Sequence, residues 1–195
     1  MKRYIKSKVV DVLSEPEDIQ REALNSRDTN DVILDRLADK ASYAKQVIKH
    51  PNVGSKTLKR FSHDRNAEIR ELVAKQPTTP YSVLRKMTTD RNLDARYSAI
   101  RNKNIEVARL VEIAESSDWR TREAVARNPS TPIDVLVTLS KDPHWVVQRG
   151  VANNENTPKA CLEQLIKSKN PYVKEDAQDS LNQLIRNEAL ANSQE

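Results

Sequence analysis

The sequence is short of the residues on which most catalytic and metal-binding motifs depend. Among 195 residues there are one Cys, three His, two Gly and one Phe. The lone Cys161 excludes an internal disulfide and a cysteine-based zinc site. Two glycines exclude a Gly-rich phosphate loop and argue against an all-β sandwich with Gly turns. The histidines lack metal-ligand spacing, so we expect no enzyme activity, no cofactor and no metal site.

Long apolar runs are missing as well. The longest runs are a few residues, which is too short to span a bilayer, and the first segment, MKRYIKSKVVDVLSE, has no apolar signal core. We therefore expect a cytoplasmic protein without membrane contact, and we expect it to be a monomer.

What the sequence does contain is a repeated phrase. WRTREAVARNPSTPIDVLVTLSKDP is followed by WVVQRGVANNENTPKACLEQLIKSK, and the step from Trp119 to Trp145 defines the repeat period. A fixed period of this size is the signature of a solenoid. Matching apolar pairs recur along the chain, at a slightly shorter first step and then once per repeat period: Leu34 and Leu37, Leu58 and Phe61, Leu84 and Met87, Leu110 and Ile113, Leu136 and Leu139, and Leu162 and Leu165.

Local sequence signals predict two short helices in each unit. Asn66 can cap a first helix, which should end near Gln76 because the residue before Pro77 disfavours helical geometry. Thr79 and Pro80 then predict a side-chain cap and a first-turn proline for the second helix. The sequence thus predicts an all-α solenoid of about six two-helix repeats, each about 24–26 residues long, at 18–170. An N-terminal capping segment at 1–17 and a C-terminal capping helix with a polar tail at 171–195 complete the prediction.

The phrase DWRTREAVARNPSTPIDVLVTLSKD, at 118–142, resembles the repeat of the leucine-rich-repeat variant family. The whole array also resembles short HEAT-like repeats. The resemblance implies a right-handed superhelix in which an α-helix alternates with a short, sometimes 3₁₀, helix. Some members of the family carry an iron-sulfur cluster in a cysteine-rich amino-terminal extension. This chain has no such cysteines, so we expect no cluster.

Arginine and aspartate each recur at a fixed position of the repeat, and these charged residues have two possible roles. Arginines recurring once per repeat period could track a phosphate backbone, or they could pair with aspartates in a structural ladder that joins successive repeats. We favour the ladder, because repeat proteins are held together by nearest-neighbour contacts. Its predicted members are Arg70, Arg96, Arg122, Asp64, Asp90 and Asp118. Trp119 and Trp145 could stack bases, but packing is the favoured interpretation.

The outward positions of the second helices change from basic to neutral to mildly acidic along the chain. Residues 41–91 contain eleven Lys or Arg and four Asp or Glu, a net charge of +7, whereas the whole chain carries +5. The outward positions of this segment predict a polyanion-binding patch, or a solvated basic face without a ligand. The patch consists of Lys56, Lys59, Arg60, Arg85 and Lys86.

Three functions are compatible with these patterns. The leading hypothesis is a non-catalytic scaffold that binds a protein partner through a groove lined by the second helices. The alternative is sequence-independent binding of DNA or RNA through the basic patch. A DNA glycosylase built from HEAT-like repeats is a remote third possibility, which rests on architecture and charge only and to which we assign no residue.

Overall fold

The computed structural model describes residues 11–192, with only the backbone at Asn192, and every regular element in this range is helical. The α-helices are α1 (Glu17–Asn25), α2 (Asp31–Leu37), α3 (Ala44–Lys49), α4 (Ser55–Phe61), α5 (Ala67–Lys75), α6 (Tyr81–Met87), α7 (Leu93–Arg101), α8 (Val107–Ile113), α9 (Trp119–Ala126), α10 (Ile133–Leu139), α11 (Trp145–Ala152), α12 (Lys159–Leu165) and α13 (Pro171–Asn192). Two 3₁₀ helices cover Val12–Ser14 and Ala41–Tyr43. The predicted all-α repeat fold is confirmed. The first ten residues of the predicted N-terminal cap, and residues 193–195, lie outside the described range.

The chain divides into two compact units, one up to residue 104 and one from residue 105. In the first unit, α3, α5 and α7 pack side by side, and α4 and α6 pack against α5 and α7. In the second unit, α9, α11 and α13 pack side by side, and α8, α10 and α12 pack against them. No helix among the described residues combines the length and the apolar character that crossing a membrane requires.

Each repeat consists of a first helix of six to nine residues and a second helix of seven residues. All six second helices, α2, α4, α6, α8, α10 and α12, are α-helical rather than 3₁₀. The leading leucine of each predicted apolar pair is buried, from Leu34 in the first unit to Leu136 and Leu162 in the second. Ile113 departs from the pattern, because it is only half-buried. The repeat period therefore identified the core correctly.

The threonine of each Thr-Pro pair has a different role from the predicted helix cap. Thr79 Oγ1 donates to the backbone oxygen of Val73 at 2.6 Å, and Thr131 and Thr157 make the same contact with carbonyls of α9 and α11. The second helices instead begin after the proline, without a side-chain cap. The last carbonyls of a helix have no amide partner within it. The buried threonine hydroxyl satisfies one of them and ties the first helix to the start of the second.

A column of buried side-chain amides joins successive repeats. Asn102 Nδ2 donates to the backbone oxygens of Ala74 and Gln76, at 2.7 and 2.9 Å. Asn154 makes the equivalent pair of bonds to carbonyls at 126 and 128 in the second unit. Gln76 does so one repeat earlier, with carbonyls at 48 and 50. This column was not predicted, although its members share one position of the repeat.

The C-terminal helix α13 is the longest element and packs against α11 and α12. Its side chains at Val173, Ala177 and Leu181 are buried, as their helical spacing predicts. Ile185, four residues after Leu181, is exposed. The buried face of α13 therefore ends before its last two turns.

Candidate functional site

Two arginines of the predicted ladder form bidentate pairs with aspartates of the following repeat. Arg70 donates from Nε and Nη2 to both carboxylate oxygens of Asp90, at 2.8 and 2.9 Å. Arg122 binds Asp142 in the same way, at 2.6 and 3.0 Å. The third arm of each guanidinium donates to a backbone oxygen of the preceding turn, at Asp64 and Ser116. The guanidinium of Arg70 is buried and that of Arg122 is mostly buried. Both link neighbouring repeats and do not form a line of solvent-facing cations.

The other predicted ladder residues have different contacts. Arg96 Nε donates to the backbone oxygen of Asp90 at 2.8 Å. The carboxylate of Asp64 accepts from the amide of Asn66, and that of Asp118 accepts from the amide of Arg120, at the start of α9. Asp118 stands one repeat period after Asn92, which caps α7, and therefore occupies the capping column.

The aspartate column of the ladder is filled differently in the second unit. Ser116 stands one repeat period after Asp90, and Asp142 follows after one more. Asp142 is not among the predicted ladder residues, because each carboxylate was expected a few residues before its arginine. The partner belongs to the following repeat, and only the packing of first helices side by side brings it into reach.

The pairing shifts the ionisation of its members. The hydrogen bond from Arg70 holds the pKa of Asp90 below its ordinary value, and the amide of Asn92 adds to the effect. The pKa of Arg70 is raised in turn by its hydrogen bond to Asp90, and that of Arg122 by Asp142. Arg70 and Asp90 therefore remain charged near neutral pH, so their pair is ionic.

The predicted basic patch is partly neutralised by acidic residues of the preceding repeat. Lys56 Nζ lies 2.8 Å from an oxygen of Asp35, and Arg60 Nη1 lies 2.7 Å from an oxygen of Asp39. Burial tends to raise the pKa of Asp35, but the hydrogen bonds from Lys56 and Thr57 outweigh it and lower that pKa. These acids lie outside the segment 41–91 for which the charge was counted. All five residues of the patch are exposed, and Lys56 and Arg60 are the two whose charges face these aspartates.

The second helices of the second unit expose aliphatic side chains. Val107 and Val111 on α8 are each 46% exposed, and Ile133 and Val137 on α10 are 60% and 37% exposed. The two residues of each helix are four apart and lie on one face. Both helices use the same two positions of the repeat, and both helices pack against α9. We call these four residues the aliphatic patch.

The two tryptophans belong to a stack of aromatic rings at the starts of first helices. Trp119 lies against the imidazole of His144, with ring centroids 3.9 Å apart. Trp145 is next to His144 on one side and to Tyr172 on the other, at centroid distances of 6.4 and 5.9 Å. The guanidinium of Arg120 lies 4.4 Å from the ring centre of Trp119. Most of the ring surface of Trp119 is therefore used in packing within the protein.

Comparison with known proteins identifies the type of repeat. A family model described as leucine rich repeat variant matches residues 119–144. Among solved structures, the chain is similar to a leucine-rich repeat variant with a novel repetitive structural motif, with 18% identity over 87% of this chain and 73% of that one and a TM-score of 0.54. It also has a TM-score of 0.42 and 16% identity to the crystal structure of an engineered protein, over 91% of this chain and 92% of that one.

No curated protein matches the chain. At 18% identity the structural similarity shows the fold, and the family model adds the identity of one repeat within that fold. The chain therefore has a helical-repeat fold, and its repeat at 119–144 is similar to the leucine rich repeat variant.

Proposed function

We propose that the protein is a non-catalytic repeat scaffold that binds a partner protein through the exposed face of its second helices. The observation that carries this proposal is the aliphatic patch, Val107, Val111, Ile133 and Val137. Single exposed apolar residues are normal on protein surfaces, but apolar residues grouped on one surface mark interaction sites. Repetition of the same two positions on successive helices groups these four side chains.

The composition of this face favours an apolar protein segment as the occupant. One outward position is basic in the first unit, with Lys59 on α4 and Arg85 on α6. The same position is occupied by Val111 on α8 and Val137 on α10. Glu163 follows at the same position on α12. A polyanion gains no charge attraction from such a column. An amphipathic helix of a partner protein offers apolar side chains at spacings of three and four residues, which match residues placed four apart on a supporting helix.

The proposal is tested with a displayed library of peptides about 16 residues long, from which binders of the unmodified protein are selected. The binding of the selected peptides to variants of the patch is then measured. The selected peptides should carry apolar residues at helical spacing, and binding should change little between low and high salt. The double variant Val111→Asp with Ile133→Asp should lose binding, because it places two charges in the apolar contact. Val32→Asp is the matched control, since Val32 is also an exposed valine on a second helix but lies in the first unit.

The opposite results would overturn the proposal. Peptides that bind the double variant as well as they bind the unmodified protein would place the contact elsewhere. Selected peptides that are acidic and bind only at low salt would point to the basic residues instead.

Sequence-independent nucleic-acid binding is the second candidate function. The exposure of Lys59, Arg85 and Lys86 favours it, whereas the ion pairs of Lys56 and Arg60 oppose it. Titration with duplex DNA at several salt concentrations tests it. Binding through this patch should weaken with a log–log slope of about −0.9 per neutralised phosphate, and it should be lost on charge reversal of Lys59 and Lys86.

A further inference from the structure

One junction of the second unit lacks the arginine–aspartate pair. Gln148 stands one repeat period after Arg122, and Ser168 stands one repeat period after Asp142. Gln148 Nε2 keeps the contact to the backbone oxygen of Asp142, at 2.8 Å. The Oγ of Ser168 and the Oε1 of Gln148 are 3.5 Å apart. This repeat position therefore retains the backbone tie but lacks the guanidinium and the carboxylate. A separate ion pair, Arg149 with Asp176, joins α11 and α13 elsewhere at the same junction.

A cleft of about 460 Å³ opens at this junction and is lined by Gln148 and Ser168. Gln148 and Ser168 have shorter side chains than Arg122 and Asp142, which occupy the equivalent positions one repeat earlier. Three exposed lysines line the cleft: Lys141, Lys167 and Lys169. None of the described residues that line it is acidic. The described lining of this open cleft therefore carries three positive charges and no acidic side chain.

The repeat architecture does not require these lysines. Lys141 and Lys167 occupy one repeat position, shortly after the second helix. Earlier repeats have His63, Thr89 and Glu115 at that position. A neutral or acidic side chain is therefore compatible with the fold there, and the basic residues occur in the two repeats that border the cleft.

An aromatic surface adjoins the lysines. Trp145 lines the cleft and is 39% exposed, although its ring also contacts His144 and Tyr172. Aromatic side chains stack on nucleic-acid bases without regard to sequence, because every base has a flat face. Lysine ammonium groups are common ligands of phosphate. The cleft combines both surfaces within the range of volumes, about 300–1,000 Å³, typical of small-ligand sites.

We propose that the cleft binds a nucleoside phosphate. Lys141, Lys167 and Lys169 hold the phosphate, and the base lies against the exposed part of Trp145. A free nucleotide and one nucleotide unit of a single strand present the same chemistry to the cleft. This site lies at the turns between repeats and is independent of the aliphatic patch.

Two probes, UMP and a labelled single-stranded oligouridine, test the proposal by titration of the intact protein at about 50 mM salt. The decisive variant restores the ladder, Gln148→Arg with Ser168→Asp. It fills the cleft and places a carboxylate beside the lysines, so the affinity for the bound probe should fall by about tenfold or more. The melting temperature and circular dichroism of the same variant are measured alongside, so that loss of binding in a folded variant cannot be attributed to unfolding.

Lysine variants complete the test. Lys141→Ala with Lys167→Ala should weaken binding, whereas Lys159→Ala with Lys174→Ala should not, because these two exposed lysines lie in the same unit but do not line the cleft.

Binding of UMP itself would identify a small-molecule site, and binding of the oligouridine alone would identify a site for single strands. The proposal is overturned if neither probe binds, or if the ladder-restoring variant binds as well as the unmodified protein. Val111→Asp with Ile133→Asp should leave this binding intact, which separates the two proposals.

Discussion

At the scale of single residues, the most informative feature is the buried pair of Arg70 and Asp90. Their side chains are 6% and 9% exposed, and the carboxylate receives two hydrogen bonds from one guanidinium. Removing two charges from water is costly, so such a pair specifies how the repeats meet more than it stabilises them. When only one partner is removed, the other charge stays buried without compensation, and the free energy of unfolding falls by the full cost of that burial.

We expect Asp90→Ala to destabilise the protein by about 3–5 kcal/mol, because it leaves the charge of Arg70 buried without its carboxylate. Urea unfolding followed by circular dichroism measures the change. Asp94→Ala is the control, since Asp94 is exposed in the first turn of α7 and should cost less than about 1 kcal/mol. Equal small losses in both variants would contradict a buried ion pair.

The amide column gives a second prediction at this scale. Asn154→Ala should cost about 1–3 kcal/mol, because the buried carbonyls of Ala126 and Asn128 lose a hydrogen-bond donor. Asn182→Ala, at an exposed position of α13, should have little effect on the urea midpoint. If Asn154→Ala were equally harmless, the amide would not hold the two repeats together.

At the scale of elements, the second helices depend on tertiary contacts. A helix of two turns is too short to be stable in water by itself. On α10, Leu136 is fully buried and Ile133 is 60% exposed. The two residues therefore separate the contribution of the core from that of helix propensity.

Leu136→Ala should lower the free energy of unfolding by about 2–5 kcal/mol, through the lost transfer energy and the remaining cavity. Ile133→Ala on the same helix should change it by no more than about 0.5 kcal/mol, as is usual at the surface. Thermal unfolding of both variants gives the comparison. Similar melting temperatures would mean that the register of α10 is different.

At the scale of the whole molecule, paired carboxylates determine the response to acid. The pKa of Asp90 is lowered by Arg70 in the first unit. In the second unit, burial tends to raise the pKa of Asp176, but the hydrogen bonds from Arg149 and Asn153 lower it overall. A carboxyl group with a lowered pKa in the folded state contributes stability at pH values above its unfolded pKa, about 3.9 for aspartate.

The carboxylate contribution should therefore be constant between pH 7 and about pH 5 and be lost progressively below about pH 4, as these groups are protonated in the folded protein. Melting temperatures at pH 7, 5 and 3 test this. The variant Asp90→Asn should show a smaller loss between pH 5 and pH 3 than the unmodified protein. An equal loss in both would remove Asp90 from the acid response.

The sequence by itself determined the period, the helix pairs and the core. Burial of an apolar side chain depends on its helical face, so the recurrence of Leu84, Leu110 and Leu136 was sufficient to place the core. The break before Pro77 is also a local effect of backbone sterics. The match of the family model to 119–144 rests on the same local pattern.

Only the tertiary structure decided which polar groups meet. Thr79 bonds to a helix carbonyl rather than capping α6, and Arg122 pairs with Asp142 rather than Asp118. Gln148 and Ser168 meet across a junction, where both line the cleft together with three lysines. A hydrogen bond requires its partners within about 3 Å and correctly oriented, and for residues in different repeats that distance is set by the packing of one repeat on the next.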